Sequence, residues 1–300
     1  MLNRKALRKP HRNRNEAIFI FMVLAPVLVQ YTLTSVAPMI ISLVVTFTNY
    51  SLIGSWKWIG LENWKKLFSD TVVWQSLLVT VKYALLLVIP TIIIGLGMAL
   101  LINKPRKGRN IFKSTWFFPV ITSTIVIASI WKWMFTADDT GIVNQILAVF
   151  GIQPQFFFGT KLALATVAFL GIYQSVGTAM VYFYAGLKGI SQDLYEAAKV
   201  DGCTGIQSFK SITLPLLRPT LTYVMITLTS AALKVFDSIY TLYNQTGGPQ
   251  NCANSLVMHI YKTSFFNMQM GYGSTIAFVL FFLILIISLI QFKVTNKDYE

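Results

Sequence analysis

Acid is scarce in this sequence: eleven Asp and Glu stand against twenty-five Lys and Arg in 300 residues, and charged residues of both signs make up only 12%. So little charge, beside 55% hydrophobic residues and a mean hydropathy of +0.60, excludes an ordinary soluble domain and makes the bilayer the solvent. Two cysteines, Cys203 and Cys252, supply no disulfide framework. The two histidines, His11 and His259, stand alone, and there is no HExxH, CxxC or GxSxG. The phosphate-cradling GxxxxGK[ST] is missing as well, so no ATPase is expected in this chain, nor any metal, cofactor or catalytic residue of its own. A net charge of +14 raises nucleic acid as a partner, but no basic face interleaved with aromatics supports it.

What is present is a series of apolar runs. The first extends from about Ala17 to Phe47, too long for a signal-peptide core, and its two prolines, Pro26 and Pro38, point to one long kinked helix. A second pass there would put the basic N-terminus opposite the other basic loops. Five further runs, about Leu77–Ile102, Ile111–Phe135, Leu162–Leu187, Leu221–Leu242 and Ser274–Phe292, each suffice to cross ~30 Å of hydrocarbon, which makes six spans. The N-terminus, residues 104–113, the segment Lys188–Arg218 and the C-terminus carry six, five, four and two cations, against five on the opposite loops. That asymmetry predicts both termini in the cytoplasm, with Cys203 inside and Cys252 outside. The tryptophan-rich link NYSLIGSWKWIGLENWKKLFSDTVVW belongs at the headgroup level.

Residues 190–220, ISQDLYEAAKVDGCTGIQSFKSITLPLLRPT, are the longest polar interruption in the second half. Ser191 predicts a helix cap with Asp193 in the first turn, and Leu194, Ala197 and Ala198 predict a narrow apolar stripe. Gly202 and Gly205 predict a stop, Ile206–Ile212 a second short helix, and Pro215 and Pro219 its exit. The pattern by itself fits an ordered loop as well as a functional device.

EAAKVDG, followed after a spacer by ITLPLLRPTL, closely resembles the EAA loop of the membrane subunits of binding-protein-dependent ABC importers. The resemblance runs from about Ile18 to Lys293 through FKSTWFFPVI, YEAAKVDG, ITLPLLRPT and TGGPQN, and is closest in kind to the maltose/oligosaccharide class. It implies an all-α membrane protein with the type I ABC importer permease (MetI-like) fold: residues 17–300 form one transmembrane domain behind a basic cytoplasmic segment, residues 1–16. It further implies that Glu196, Ala197, Ala198, Asp201 and Gly202 lie on a coupling helix docking into a separate ATPase. Two such ATPase subunits would supply ATP and Mg, beside a second homologous permease subunit and an extracellular or periplasmic sugar-binding protein, in a prokaryotic cell membrane.

For the substrate path, the resemblance implies Gly171, Tyr173, Gln174, Ser175 and Thr178 on the fourth span and Lys234, Phe236 and Asp237 on the fifth. Phe236 would stack on a pyranose face. Lys234 and Asp237, three apart, are neighbours on one helical face, and a structural ion pair accounts for them as well as a sugar contact does. Lys82 and Lys132, near the outer ends of their spans, are expected to snorkel, and Arg218 to anchor at the interface. Several of these positions differ from the maltose permease, which leaves the sugar open. A phosphorylated polyol such as glycerol-3-phosphate is an alternative cargo, and a docking-only assembly or sensor protein a further reading. An ion-coupled secondary carrier is another class; against it stands the lack of paired broken helices with intramembrane carboxylates.

Overall fold

The computed structural model describes residues 14–296, except 52, 55, 106, 138 and 139. Most of the basic segment 1–16 and the acidic pair Asp138–Asp139 therefore fall outside the described residues. Five helices are long and apolar enough to cross a membrane, and a bent pair makes a sixth when taken as one span. The described chain has no strand, only an isolated antiparallel bridge between Thr48 and Trp58.

The first span joins α1 (Arg14–Tyr31) to α2 (Ala37–Val45) through a π-turn at Thr32–Val36, closed by the Ala37 N–H on the Thr32 carbonyl. Pro38 follows, and it has no N–H to offer the preceding turn; the wider turn carries the helix past it. The expected kink is therefore a π-turn, and Pro26 sits inside α1. Among the residues of described burial, from Ile18 on, α1 buries none against the bundle, while α2 packs on the last helix. Asn63 in α3 (Glu62–Ser69) then hooks the chain back, donating to the Thr46 and Thr48 carbonyls at 2.8 and 2.9 Å.

Asp70 caps α4 (Thr71–Asn103), accepting from the Val72 and Val73 N–H groups at 2.9 and 3.4 Å. The run predicted as the third span is not one rod. It is α5 (Arg109–Ile121) and α6 (Thr124–Met134), bent by 99° where Thr122 and Ser123 go extended. Pro119, near the end of α5, removes a backbone donor just before the break. A short amphipathic α7 (Ile142–Val149) leads to α8 (Ala163–Lys188), which packs against both α4 and α5.

Small residues set how closely α8 is approached. A Cβ on Gly177 would lie 2.1 Å from the Trp116 carbonyl oxygen of α5, and one on Gly95 of α4 would lie 2.7 Å from the Ala179 Cβ. Phe183, Leu170, Met180 and Val167 are fully buried along these contacts.

After α9 (Gln192–Val200) and α10 (Gly205–Ser208), helical backbone continues through a π-turn at Phe209–Thr213, α11 (Leu214–Leu216) and α12 (Arg218–Leu233). Pro215 and Pro219 were expected to end a helix. Each instead occupies the first turn of the next helical segment, where a missing N–H costs nothing, and Pro215 again follows a π-turn by two residues. The fifth span is also broken: α13 (Asp237–Leu242) starts after Lys234, Val235 and Phe236 leave the helix, with Phe236 at φ −144°, ψ −62°. α14 (Leu256–Tyr261) and α15 (Met270–Asn296) complete the chain. Buried polar bonds hold α14 against the head of α4: Asn254 donates to Ser76 at 2.9 Å, and the Leu256 N–H to Thr80 at 2.8 Å.

Candidate functional site

The two broken spans meet at two adjoining cavities of about 350 and 200 Å³ that share Thr124, Gln174, Ser175, Leu228 and Ala231. The larger is closed by Pro119, Thr122, Thr178, Tyr182 and Thr227, the smaller by Tyr83, Gly171, Lys234, Phe236 and Asp237, among others. Backbone that leaves a helix at membrane depth is tolerated where it lines a cavity, because protein or water can satisfy the freed groups there. The lining mixes hydroxyls, one amide, two opposite charges and aromatic rings; Gln174 donates to the Thr124 hydroxyl at 3.4 Å, linking α8 to α6. Such a wall offers directional hydrogen bonds beside apolar faces, the chemistry a polyhydroxylated ring requires.

Gly171, Gln174, Ser175, Thr178, Lys234, Phe236 and Asp237 all line these cavities. Tyr173 does not. It packs on Trp131, ring centroids 5.5 Å apart, in a cluster with Phe169 and Phe135. The helical period explains this: residues 171, 174, 175, 178 and 182 share one face of α8, and position 173 points about 200° away from 171. Tyr182, missed in the sequence, extends that same face. Thr122 and Thr124 were missed too, although a polar Thr-Ser-Thr after a proline in an apolar run is a sign of a break.

Lys234 and Asp237 are not neighbours on a helical face, because the helix is interrupted between them. Among the described residues no ion pair joins them, and both side chains are exposed. Phe236 leans on Tyr240 and Tyr261, centroids 5.2 and 5.1 Å away. Lys132 reaches toward the end of its span, as expected, and finds fixed partners there. Its ammonium donates to the Asn244 side chain at 2.5 Å and the Thr241 carbonyl at 3.3 Å, at the C-terminal end of α13.

The 190–220 segment is ordered by its own backbone chemistry. Ser191 caps α9, accepting from the Asp193 N–H at 3.3 Å. At the other end Gly202 adopts φ +76°, the Cys203 N–H bonds the Ala198 carbonyl at 2.9 Å and the Gly202 N–H bonds the Lys199 carbonyl at 3.1 Å, a Schellman stop. Thr204 and Gln207 then form a reciprocal capping box for α10. The expected stripe of Leu194, Ala197 and Ala198 divides. Ala198 alone is buried, and the half-buried Tyr195 hydrogen-bonds Thr213 at 2.9 Å, so one face of α9 is tied to the π-turn at Phe209–Thr213 that leads into α11 and α12. Glu196, Ala197, Asp201 and Gly202 are exposed, as are Val200 at 88% and Ile206 at 71%. α9 and α10 thus each present an apolar knob, Val200 and Ile206, on a segment that also exposes the carboxylates of Glu196 and Asp201.

Residues 91–296 match the family model described as binding-protein-dependent transport system inner membrane component. Over 295 residues the chain is 32% identical to the probable ABC transporter permease protein YesP of Bacillus subtilis, covering 97% of this chain and 94% of that one. Over 238 residues it is 34% identical to the trehalose/maltose transport system permease protein MalF of Thermococcus litoralis, covering 79% of each. A chain in the crystal structure of a bacterial ABC transporter involved in alginate import superposes with a TM-score of 0.84 at 21% identity, over 96% of this chain and 99% of that one.

Proposed function

The chain belongs to the family of binding-protein-dependent inner-membrane transport components, and from that premise we propose that it is the permease subunit of an ATP-driven oligosaccharide importer and forms half of the translocation path. The observation that carries the reading is the cavity at the meeting of the two broken spans, with its hydroxyls, its amide and Phe236. The trehalose/maltose relative supports a carbohydrate cargo. The cavity lining carries one cation, Lys234, and one carboxylate, Asp237, and this charge balance suits an uncharged sugar better than a phosphorylated polyol.

The free energy enters at the other site. α9 docks into a separate ATPase through Val200, Glu196 and the segment up to Ile206, and nucleotide-driven closure of that partner shifts α9 and, through the helical run to α12, the wall of the cavity. A ligand that bound both states equally would shift nothing, so the cycle needs this external input. ATP and Mg belong to the partner. A second homologous permease encloses the substrate and a soluble sugar-binding protein delivers it. The cation asymmetry supports both termini and α9 in the cytoplasm. The broken spans weaken the sequence argument against an ion-coupled carrier, and that rival now fails on family membership.

The test is sugar uptake into proteoliposomes holding this chain, its partner permease and ATPase, with the binding protein outside. Charge reversal at Glu196 or a bulky residue at Gly202 is expected to abolish uptake and sugar-stimulated hydrolysis while membrane insertion persists. Full activity in both variants rejects the coupling role, and uptake driven by an ion gradient without ATPase rejects the whole reading.

A further inference from the structure

The entry to α5 holds a feature that transport does not use. A cleft of about 390 Å³ lies against Pro105, Gly108, Arg109, Asn110 and Ile111, at the end of the bundle where α8 gives way to α9. Arg109 is half-buried at its wall. One turn further, Lys113 holds its ammonium 3.7 Å above the Tyr184 ring, and Lys188 stands 5.6 Å from the same ring. Among the described residues no carboxylate pairs with any of the three cations, and residues 104–113 contain no acid at all. Arg109 and Lys113, four apart, repel each other and oppose the helix dipole at this end.

Below the cleft, the opposite face of α5 from the one that packs on α8 is bare. Ile111, Phe118 and Ile121 are 73%, 63% and 71% exposed, at spacings of seven and three that align them along one side of the helix. We propose that this is a binding site for one anionic phospholipid in the leaflet on the α9 side: its phosphate sits in the cleft against Arg109, with the positive charge of Lys113 one turn further along α5, and its acyl chains lie along Ile111, Phe118 and Ile121. The two halves of the surface fit the two halves of that molecule, and the phosphate removes the like-charge repulsion at the head of α5. Occupancy steadies the half-span that ends at the cavity break.

Native mass spectrometry of the full-length chain, with whatever subunits accompany it, after exchange from mixed phosphatidylglycerol and phosphatidylcholine nanodiscs, tests this independently of any sugar. The chain is expected to retain phosphatidylglycerol over phosphatidylcholine. The double variant Arg109→Gln, Lys113→Gln is expected to lose that preference roughly tenfold or more. The charge-preserving pair Arg109→Lys, Lys113→Arg and the remote Lys65→Gln are expected to keep it, and Phe118→Ser to weaken retention of both lipids. Equal retention of the two lipids by the unaltered chain, or an unchanged preference in the double glutamine variant, overturns the proposal. Displacement of the lipid by excess inorganic phosphate would reassign the cleft to a soluble anion and overturn it equally.

Discussion

Lys132, near the end of α6, donates to the Asn244 side chain at 2.5 Å and to the Thr241 carbonyl at 3.3 Å, so an ammonium from the third span closes the C-terminal end of the fifth. Both broken helices are thereby tied at the end away from α9. Lys132→Met is expected to leave those acceptors unpaired, to lower stability by about 1–2 kcal/mol and to reduce transport more than expression. Lys132→Arg should retain most of both. A thermal-shift series with uptake measured in parallel distinguishes the two.

Gly177 and Gly97 make a matched pair. A Cβ at Gly177 meets the Trp116 backbone oxygen at 2.1 Å, whereas one at Gly97 meets nothing within 4 Å. Gly177→Ala must therefore push α5 away from α8, at a cost of about 1–3 kcal/mol or more. Gly97→Ala should be neutral or slightly stabilising. Protease resistance of the two variants in membranes reads the difference directly.

Gly202 has open space around it and a φ of +76°. Its substitution acts only through backbone strain, about 1–2 kcal/mol for an ordinary residue, so global stability should barely move while the α9 stop loosens. Gly202→Asn is expected to retain more coupled hydrolysis than Gly202→Val, because Asn tolerates the left-handed region. Equal rates would mean that the stop is irrelevant to coupling.

Acid should weaken the end of the bundle away from α9. Burial raises the Asp70 pKa, but hydrogen bonds from Tyr272 and from the Val72 and Val73 N–H groups outweigh it and hold the carboxyl below its ordinary 3.8. Burial pushes His259 below its ordinary 6.5, against the pull of Asp70. In both cases the unfolded chain binds the proton more readily, so stability is present at neutral pH and is lost as pH falls, below about 6.5 for His259 and below about 3.8 for Asp70. Thermal midpoints recorded from neutral to acid pH should fall, and His259→Gln should flatten the upper part of that decline. Tyr272→Phe should cost about 1 kcal/mol near neutrality, allowing for solvent at this half-buried carboxylate.

Resemblance to a known family, not the residues taken alone, supplied the seven of eight positions that line the cavities; the sequence by itself determined the solvent, the number and order of the apolar runs, and the caps at Ser191 and Gly202. These rest on local matters: apolar length, a capping hydroxyl, a residue free to take a positive φ, and the helical period. It did not determine where the third and fifth spans break, so Lys234 and Asp237 look like helical neighbours and are not. Nor did it reveal that Tyr173 turns to Trp131, that Tyr195 bonds Thr213, or that Lys132 finds acceptors on another span. Each of those depends on which helix lies alongside. A break at membrane depth is stable only where other helices enclose a cavity for the freed backbone, and that enclosure exists only once the bundle has formed.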